Sequence, residues 1–382
     1  MKHYLRHRLF IGFLRIAAGP VVRRAMGYKA AKIKGPDRPA IIISNHNSDL
    51  DPALVTMGFS KHIYFLASEH ALRNGLPSKI LKFVFAPIPI NKTQTDISAV
   101  KEMLRRIKEG ANVCLFAEGD RSFSGKTSPL ALSTAKLVRA SGADLYTFRI
   151  RGGYFTSPRW SKKIRKGKMS GGVVNKYPAS DIKGMSDAEL LSAIERDIYV
   201  DAYADQAREP VSYRCKNLAE SIETTLYLCP ACRKPGTIKS AGDGFSCGCG
   251  LRAVYKDTGA LEGELLPFAT ITEWDEWQAR ELPEVIKEAG DGPICSDEDQ
   301  MLFEVDVAKA KTPIGEGKLQ IDRKALRCAG FEYPIDRIAR LAVVGQMTLL
   351  FASRDGRTYE VRSPYPRSAL KYREVFRALT GG

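Results

Sequence analysis

The segment Asn45-His46-Asn47-Ser48-Asp49-Leu50-Asp51-Pro52 sets an imidazole and a carboxylate five positions apart, on either side of a turn. A neutral imidazole, with an ordinary pKa of about 6.5, can take the proton of an alcohol near neutral pH. An acid across the turn can hold the ring by its other nitrogen and stabilise the imidazolium that forms. His46 and Asp51 have that relation. Asp51 with Pro52 also reads as a helix N-cap followed by proline at the first helical position, and the two roles are compatible.

A second candidate stretch is Leu115-Phe116-Ala117-Glu118-Gly119-Asp120-Arg121-Ser122. Gly119 permits a tight turn, and the Arg121 guanidinium offers a planar fork for two phosphate oxygens. A third is Cys229-x2-Cys232, fourteen residues, then Cys247-x-Cys249. Two paired thiol knuckles at this separation predict a four-cysteine, zinc-ribbon-like site, structural because four thiolates leave no open coordination position. Cys114, Cys215, Cys295 and Cys328 are isolated and read as buried or incidental thiols.

These residues need elements to hold them. From Ala40 to Ile150 short apolar runs alternate with helical stretches, the pattern of a sheet with crossover helices. The predicted strands are Ala40–Ser44, Ile63–Ala67, Pro87–Ile90, Val113–Phe116 and Leu145–Ile150. The predicted helices are Pro52–Met57, Leu76–Phe85, Asp96–Glu109 and Leu130–Ala140, with Ile97, Val100, Leu104 and Ile107 forming the apolar face of the third. His46 and Glu118 then follow strand ends, where α/β folds place reactive groups. Ser186-Asp-Ala-Glu189 offers a capping box for one more helix.

The predicted organisation is a basic amphipathic membrane-interface segment over 1–35, an α/β domain over 36–208 and a zinc-ribbon-like module over 225–257. An acidic linker over 258–315 and a small β domain with a C-terminal helix over 316–382 complete the chain.

Asn-His followed by four residues and Asp, then about seventy residues later Phe-x-Glu-Gly-x-Arg-Ser, resembles two signature blocks of the glycerolipid acyltransferase family, the lysophosphatidic acid type. The resemblance covers about residues 30–200, and Pro87-Ile88-Pro89-Ile90-Asn91-Lys92 stands where that family keeps another block. It implies an acyltransferase-type α/β sheet with His46 as base and Asp51 as its orienting partner. Glu118, Gly119, Arg121 and Lys92 then shape a pocket for the acceptor's phosphate. The reaction implied is transfer of a fatty acyl group from acyl-CoA or acyl carrier protein to 1-acyl-glycerol-3-phosphate, without a catalytic cofactor. Asp120 stands where the family has Thr, Lys92 where it has Arg, and Tyr146-Thr147-Phe148 lacks the proline of a fourth block. The pattern of Lys318–Gly382 resembles pleckstrin-homology-like lipid-binding modules.

The charge is compatible with such a partner without singling it out, since nucleic acid, a phosphate-bearing substrate and an acidic membrane surface all suit its sign. Fifty-nine Lys and Arg against 43 Asp and Glu leave a formal net charge of +16, which calls for an anionic counterpart. Residues 1–40 hold ten basic side chains against Asp37 alone, and 149–176 hold nine against none, while 261–310 are acidic. An anionic membrane surface and a phosphate-bearing lysophospholipid suit that distribution. Arg149, Arg151 and the Pro158–Lys163 stretch read either as a basic rim for headgroups or as a solvated loop. No apolar run is long enough to span a bilayer, so a peripheral or monotopic protein on the cytoplasmic face is expected. Two readings of the N-terminal segment stay open: a helix lying in the membrane interface, or one packed on the protein's own surface. A nucleic-acid-binding zinc-ribbon protein is the rival from another class; it accounts for the charge and cysteines but not for the His46 and Glu118 blocks, and no nucleic acid partner is expected.

Overall fold

The computed structural model describes residues 4–17, 19–68, 82–83, 85–90, 97–305 and 311–381. Two compact units divide the chain, the first reaching to Arg214, the second comprising Cys215 onward together with Arg159–Lys162.

In the first unit, α1 (Tyr4–Ala17) and α2 (Gly19–Met26) precede β1 (Tyr28–Ala30), β2 (Ala40–Ser44), α3 (Asp51–Gly58), β3 (Ile63–Ser68) and β4 (Ile88–Ile90). Then come α4 (Ile97–Lys108), β5 (Asn112–Phe116), α5 (Ser133–Ser141), β6 (Asp144–Arg151), the one-turn α6 (Gly153–Thr156) and β7 (Met169–Tyr177). Three helices, α7 (Ala179–Gly184), α8 (Asp187–Ile198) and α9 (Ala202–Arg208), follow. The strands form one sheet in the order β1-β7-β6-β2-β5-β3-β4. Pairing is parallel from β6 through β2, β5 and β3 to β4, while β7 runs antiparallel to β6.

β2 is buried along its whole length, as a central strand covered on both faces must be. Its side chains alternate between two cores. Ile41 and Ile43 join Val113, Leu145, Met103, Val138 and Ile194 on one face. Ala40 and Ile42 join Leu54, Val55, Tyr146 and Phe148 on the other. The apolar run 40–43 thus has two separate helical layers to satisfy.

The α4 helix departs from the expected face. Ala99, Met103 and Ile107 are its buried residues, while Ile97 and Val100 are exposed; only Ile107 belongs to both faces. The predicted helix over Leu76–Phe85 falls almost entirely outside the described residues. β7 was not expected at all, because its Gly171-Gly172 pair is a weak strand signal. The structure gives the reason for one of them: a Cβ on Gly171 would strike the Tyr28 hydroxyl and the Phe148 ring. The Ser186–Glu189 capping box is formed in both directions at the start of α8.

The second unit opens with a four-stranded antiparallel sheet of β8 (Ile238–Ala241), β9 (Gly244–Cys247), β10 (Arg252–Tyr255) and β11 (Leu261–Glu262). The stretch 258–315, expected as an acidic linker, instead holds β11, the 18-residue α10 (Ile271–Glu288), the 11-residue β12 (Cys295–Val305) and the start of β13 (Lys311–Ile321). Thr270 and Glu273 form a capping box, and Ile271, Trp274, Gln278, Leu282 and Val285 make the buried stripe. The acidic side chains on the opposite face are those of an amphipathic helix rather than of a solvated tether.

β12 is central in the last sheet, so that domain begins near Cys295 rather than at 316. It pairs with both β13 and β18 (Thr358–Arg362). With β14 (Ala325–Cys328), β15 (Phe331–Pro334), β16 (Ile338–Val344) and β17 (Thr348–Ser353) the described residues form a seven-stranded antiparallel sheet, followed by α11 (Leu370–Thr380).

Candidate active site

β2, β5 and β6 are parallel neighbours, so their carboxyl ends open on one side of the first unit. The loops leaving those ends carry the candidate residues. Asn45, fully buried, bridges from β2 to β6: its Nδ2 donates to the Ile150 carbonyl at 2.8 Å, and the Ile150 N–H donates to its Oδ1 at 2.8 Å. That pair of hydrogen bonds fixes the residue before His46.

His46 Nδ1 lies 2.9 Å from Asp51 Oδ2. The same carboxylate oxygen accepts the N–H groups of Asn47 at 2.6 Å and Ser48 at 2.9 Å, and Oδ1 accepts the Ser48 hydroxyl at 2.6 Å. Asp51 is completely buried, whereas the His46 side chain is 20% exposed. Leu50, not Asp51, is the N-cap of α3, and no side chain caps that helix. Asp51 sits one position further in and turns its carboxylate back onto the loop. Among the described residues nothing hydrogen-bonds His46 Nε2. An imidazole held by Nδ1–H presents Nε2 as a lone pair. Its ring lies flat on Phe116, centroids 4.4 Å apart and planes 17° from parallel, and Phe116 in turn stacks on Phe65.

The second block is joined to the first through the backbone of His46 itself. The His46 N–H donates to Glu118 Oε1 at 2.7 Å, the His46 carbonyl accepts the Ser122 N–H at 3.0 Å, and Glu118 Oε2 accepts the Ser128 N–H at 2.8 Å. Glu118 is therefore a clamp between loops. Burial pushes its carboxyl up to about 8, with the nearby Asp51 and Asp120 charges acting the same way and the two N–H donors pulling back.

Gly119 makes the turn at φ +74°, its N–H donating to the Phe116 carbonyl at 3.1 Å. Arg121, nearly buried, points back toward the first loop, with NH1 3.5 Å from Oδ2 of the exposed Asp49. Lys92 lies outside the described residues. Of the residues that the sequence motifs single out, the structure brings His46, Asp51, Glu118, Gly119 and Arg121 together. Asn45, Ser48, Phe116 and Ser128 were not singled out. For Asn45 and Ser48 the signal was present, since two polar residues stand beside the histidine at buried positions.

The basic stretch after β6 separates into different settings. Arg149 Nε donates to the Asp197 carbonyl at 2.6 Å, and Arg151 pairs with Asp205 at 3.8 Å. Arg159 and Trp160 are buried within the second unit, where Arg159 NH2 donates to the Val343 carbonyl at 3.4 Å, so neither belongs to a headgroup rim or a solvated loop.

In α1, Leu9, Phe13 and Ile16 are exposed, while His7 and Ile11 are buried. Arg15 folds inward and donates to the carbonyls of Ser60 and Lys61 at 3.0 Å each. Among the described residues no helix is long and apolar enough to cross a membrane.

In the second unit the sulfurs of Cys229, Cys232, Cys247 and Cys249 all lie within 4.8 Å of one another, a grouping able to hold a metal ion. The isolated Cys114, Cys295 and Cys328 are buried.

Residues 26–151, a third of the chain, match the family model described as Acyltransferase. The match runs from just before β1 to the end of β6 and contains both loops of the site. Among solved structures, the crystal structure of the 1-acyl-sn-glycerophosphate (LPA) acyltransferase PlsC from Thermotoga maritima is similar at 17% identity and a TM-score of 0.41, over 54% of this chain and 97% of that one. No curated protein matches the chain.

Proposed function

We propose that this chain is an acyltransferase that moves a fatty acyl group from a thioester to the free hydroxyl of a lysophospholipid, with 1-acyl-glycerol-3-phosphate as the acceptor and phosphatidic acid as the product. The observation that carries the reading is the 2.9 Å contact between His46 Nδ1 and Asp51 Oδ2, in a loop whose other nitrogen is left open. The family match over 26–151 supports the reaction class.

In the proposed reaction His46 Nε2 takes the acceptor's hydroxyl proton as the oxygen attacks the thioester carbonyl carbon. A C–O bond forms, the carbonyl electrons move to oxygen, and their return breaks the C–S bond. The departing thiolate recovers the proton from the imidazolium. Asp51 holds the ring and offsets its transient charge, and the amides of Asn47 and Ser48 hold Asp51. No group on the protein needs to be acylated, because the thioester is already activated.

Arg121 and Lys92 are the proposed cations for the acceptor's phosphate, with Gly119 leaving the turn open beside Arg121. Glu118 contributes by fixing both loops rather than by touching an anion. α1 packs on its own unit through His7, Ile11 and Arg15 while turning Leu9, Phe13 and Ile16 outward, an apolar face that a helix at a membrane interface would use. A peripheral enzyme on the anionic cytoplasmic leaflet is the arrangement proposed.

The test uses the purified full chain with labelled acyl-CoA and acyl carrier protein against a panel of lysophospholipids. Transfer to lysophosphatidic acid that disappears in a folded His46→Ala variant is the expected result. Equal turnover by wild type and variant would remove His46 as the base.

A further inference from the structure

The four clustered cysteines take no part in the acyl-transfer reading, and their geometry is specific enough to ask what they hold. Cys229 and Cys232 lie on the turn after Leu228, Cys247 ends β9 and Cys249 follows it. The two short sulfur contacts cross between turns: Cys229 Sγ to Cys249 Sγ is 3.6 Å and Cys232 Sγ to Cys247 Sγ is 3.8 Å. A disulfide would need about 2.05 Å. Four thiolates at about 2.3 Å from a central zinc stand about 3.8 Å apart at the corners of a tetrahedron. The crossed contacts fit the second geometry.

Polar groups close around two of the sulfurs. Backbone N–H groups of Cys232 and Ala231 are directed at the Cys229 sulfur, and that of Cys249 at the Cys247 sulfur. Thr237 Oγ1 lies 3.2 Å from Cys247 Sγ. Groups hydrogen-bonded to a ligating sulfur orient it toward the metal position. A sulfur-only set selects soft or borderline metals over magnesium or calcium.

We propose that Cys229, Cys232, Cys247 and Cys249 bind one zinc(II) ion in a closed, structural site that anchors α10. The segment entering the first knuckle is already fastened to that helix. Trp274 Nε1 donates to the Leu228 carbonyl at 2.9 Å, Gln278 Oε1 accepts the Tyr227 N–H at 3.1 Å, and Arg233, just past Cys232, pairs with Glu281 and Glu288. The sheet that supplies the second knuckle has strands of four, four, four and two residues. So small a module lacks the core to hold its shape and draws its folding energy from a metal. Loss of the ion frees the turns at both ends and with them the seat of Trp274, which is fully buried.

Metal analysis of the purified full-length chain is expected to give about one zinc per chain, near zero in Cys249→Ser and unchanged in Cys215→Ser. Removing zinc with a chelator under reducing conditions should shift tryptophan emission to the red and lower Tm, and adding zinc back should restore both. In case Cys249→Ser fails to fold, replacing zinc by cobalt(II) in the wild type should give the intense thiolate charge-transfer and tetrahedral ligand-field bands of a four-sulfur site. Folded wild-type protein without metal, with iron in place of zinc, or with tryptophan emission and Tm indifferent to zinc removal would overturn the assignment.

Discussion

Two pairs of loops in this molecule bring distant residues to a point, and they do so in opposite ways. In the first unit, loops 45–51 and 118–128 are fastened to each other through the backbone of His46, Glu118 and Ser122, and among the described residues His46 Nε2 has no hydrogen-bond partner. In the second unit, the turns around Cys229 and Cys247 satisfy their backbones but leave four sulfurs converging on a common centre. A reactive site keeps one lone pair open and spends its hydrogen bonds on holding it still; a structural site turns all its donors inward and leaves no vacancy. The contrast explains why a single side chain should matter in the first unit and a set of four in the second.

That contrast can be broken most directly at the open nitrogen. His46→Ala should lower the rate of acyl transfer by about 10²–10⁴-fold with the fold intact, the range for a lost general base; circular dichroism alongside the assay separates chemistry from unfolding. Asp51→Asn comes next, since an amide can no longer favour the tautomer with the proton on Nδ1. A fall in kcat of about 10²–10⁴-fold, with acceptor KM little changed, is expected, and a fall confined to KM would place Asp51 in binding instead.

Arg121→Ala should act on the acceptor alone. Loss of a charge-assisted contact of about 1.5–3 kcal/mol corresponds to roughly a 10–100-fold rise in acceptor KM, so steady-state kinetics with each substrate varied in turn decide the point: an unchanged acceptor KM removes the phosphate role.

The smallest effect tests Glu118. Its carboxyl is pushed up to about 8 in the folded chain, above the about 4.3 of a free glutamate. Between those values the unfolded chain has already released its proton and the folded chain has not, so stability falls as pH rises through that window. Partial exposure reduces the effect to an order of 1 kcal/mol. Urea unfolding at pH 5 and pH 8.5 should show the decline in wild type and lose it in Glu118→Gln; parallel curves for the two proteins would count against the raised value.

The chemistry was more legible in the sequence than the packing around it. His46 and Asp51 could be paired because a turn of fixed length joins them, and the Ser186 capping box was readable because it is local. The buried face of α4 was not. Ile97 and Val100 look like core residues by periodicity, yet the sheet lies against Ala99, Met103 and Ile107, and a helix's orientation about its own axis is set by what it packs on. The clamping role of Glu118 was hidden for a related reason: its partners are main-chain N–H groups of His46 and Ser128, which carry no residue signature. The acidic stretch misled through composition, although Thr270-x-x-Glu273 was a helix start in plain sight.

The stack of His46 on Phe116 bears on the moment of reaction. A proton arriving at His46 turns the ring into a cation lying 4.4 Å above an aromatic face, and the electron-rich face of a benzene ring attracts such a charge. With Asp51 gripping one edge of the imidazole and Phe116 lying flat against its face, the ring has little freedom to turn, so the direction of its open nitrogen is set before any substrate arrives.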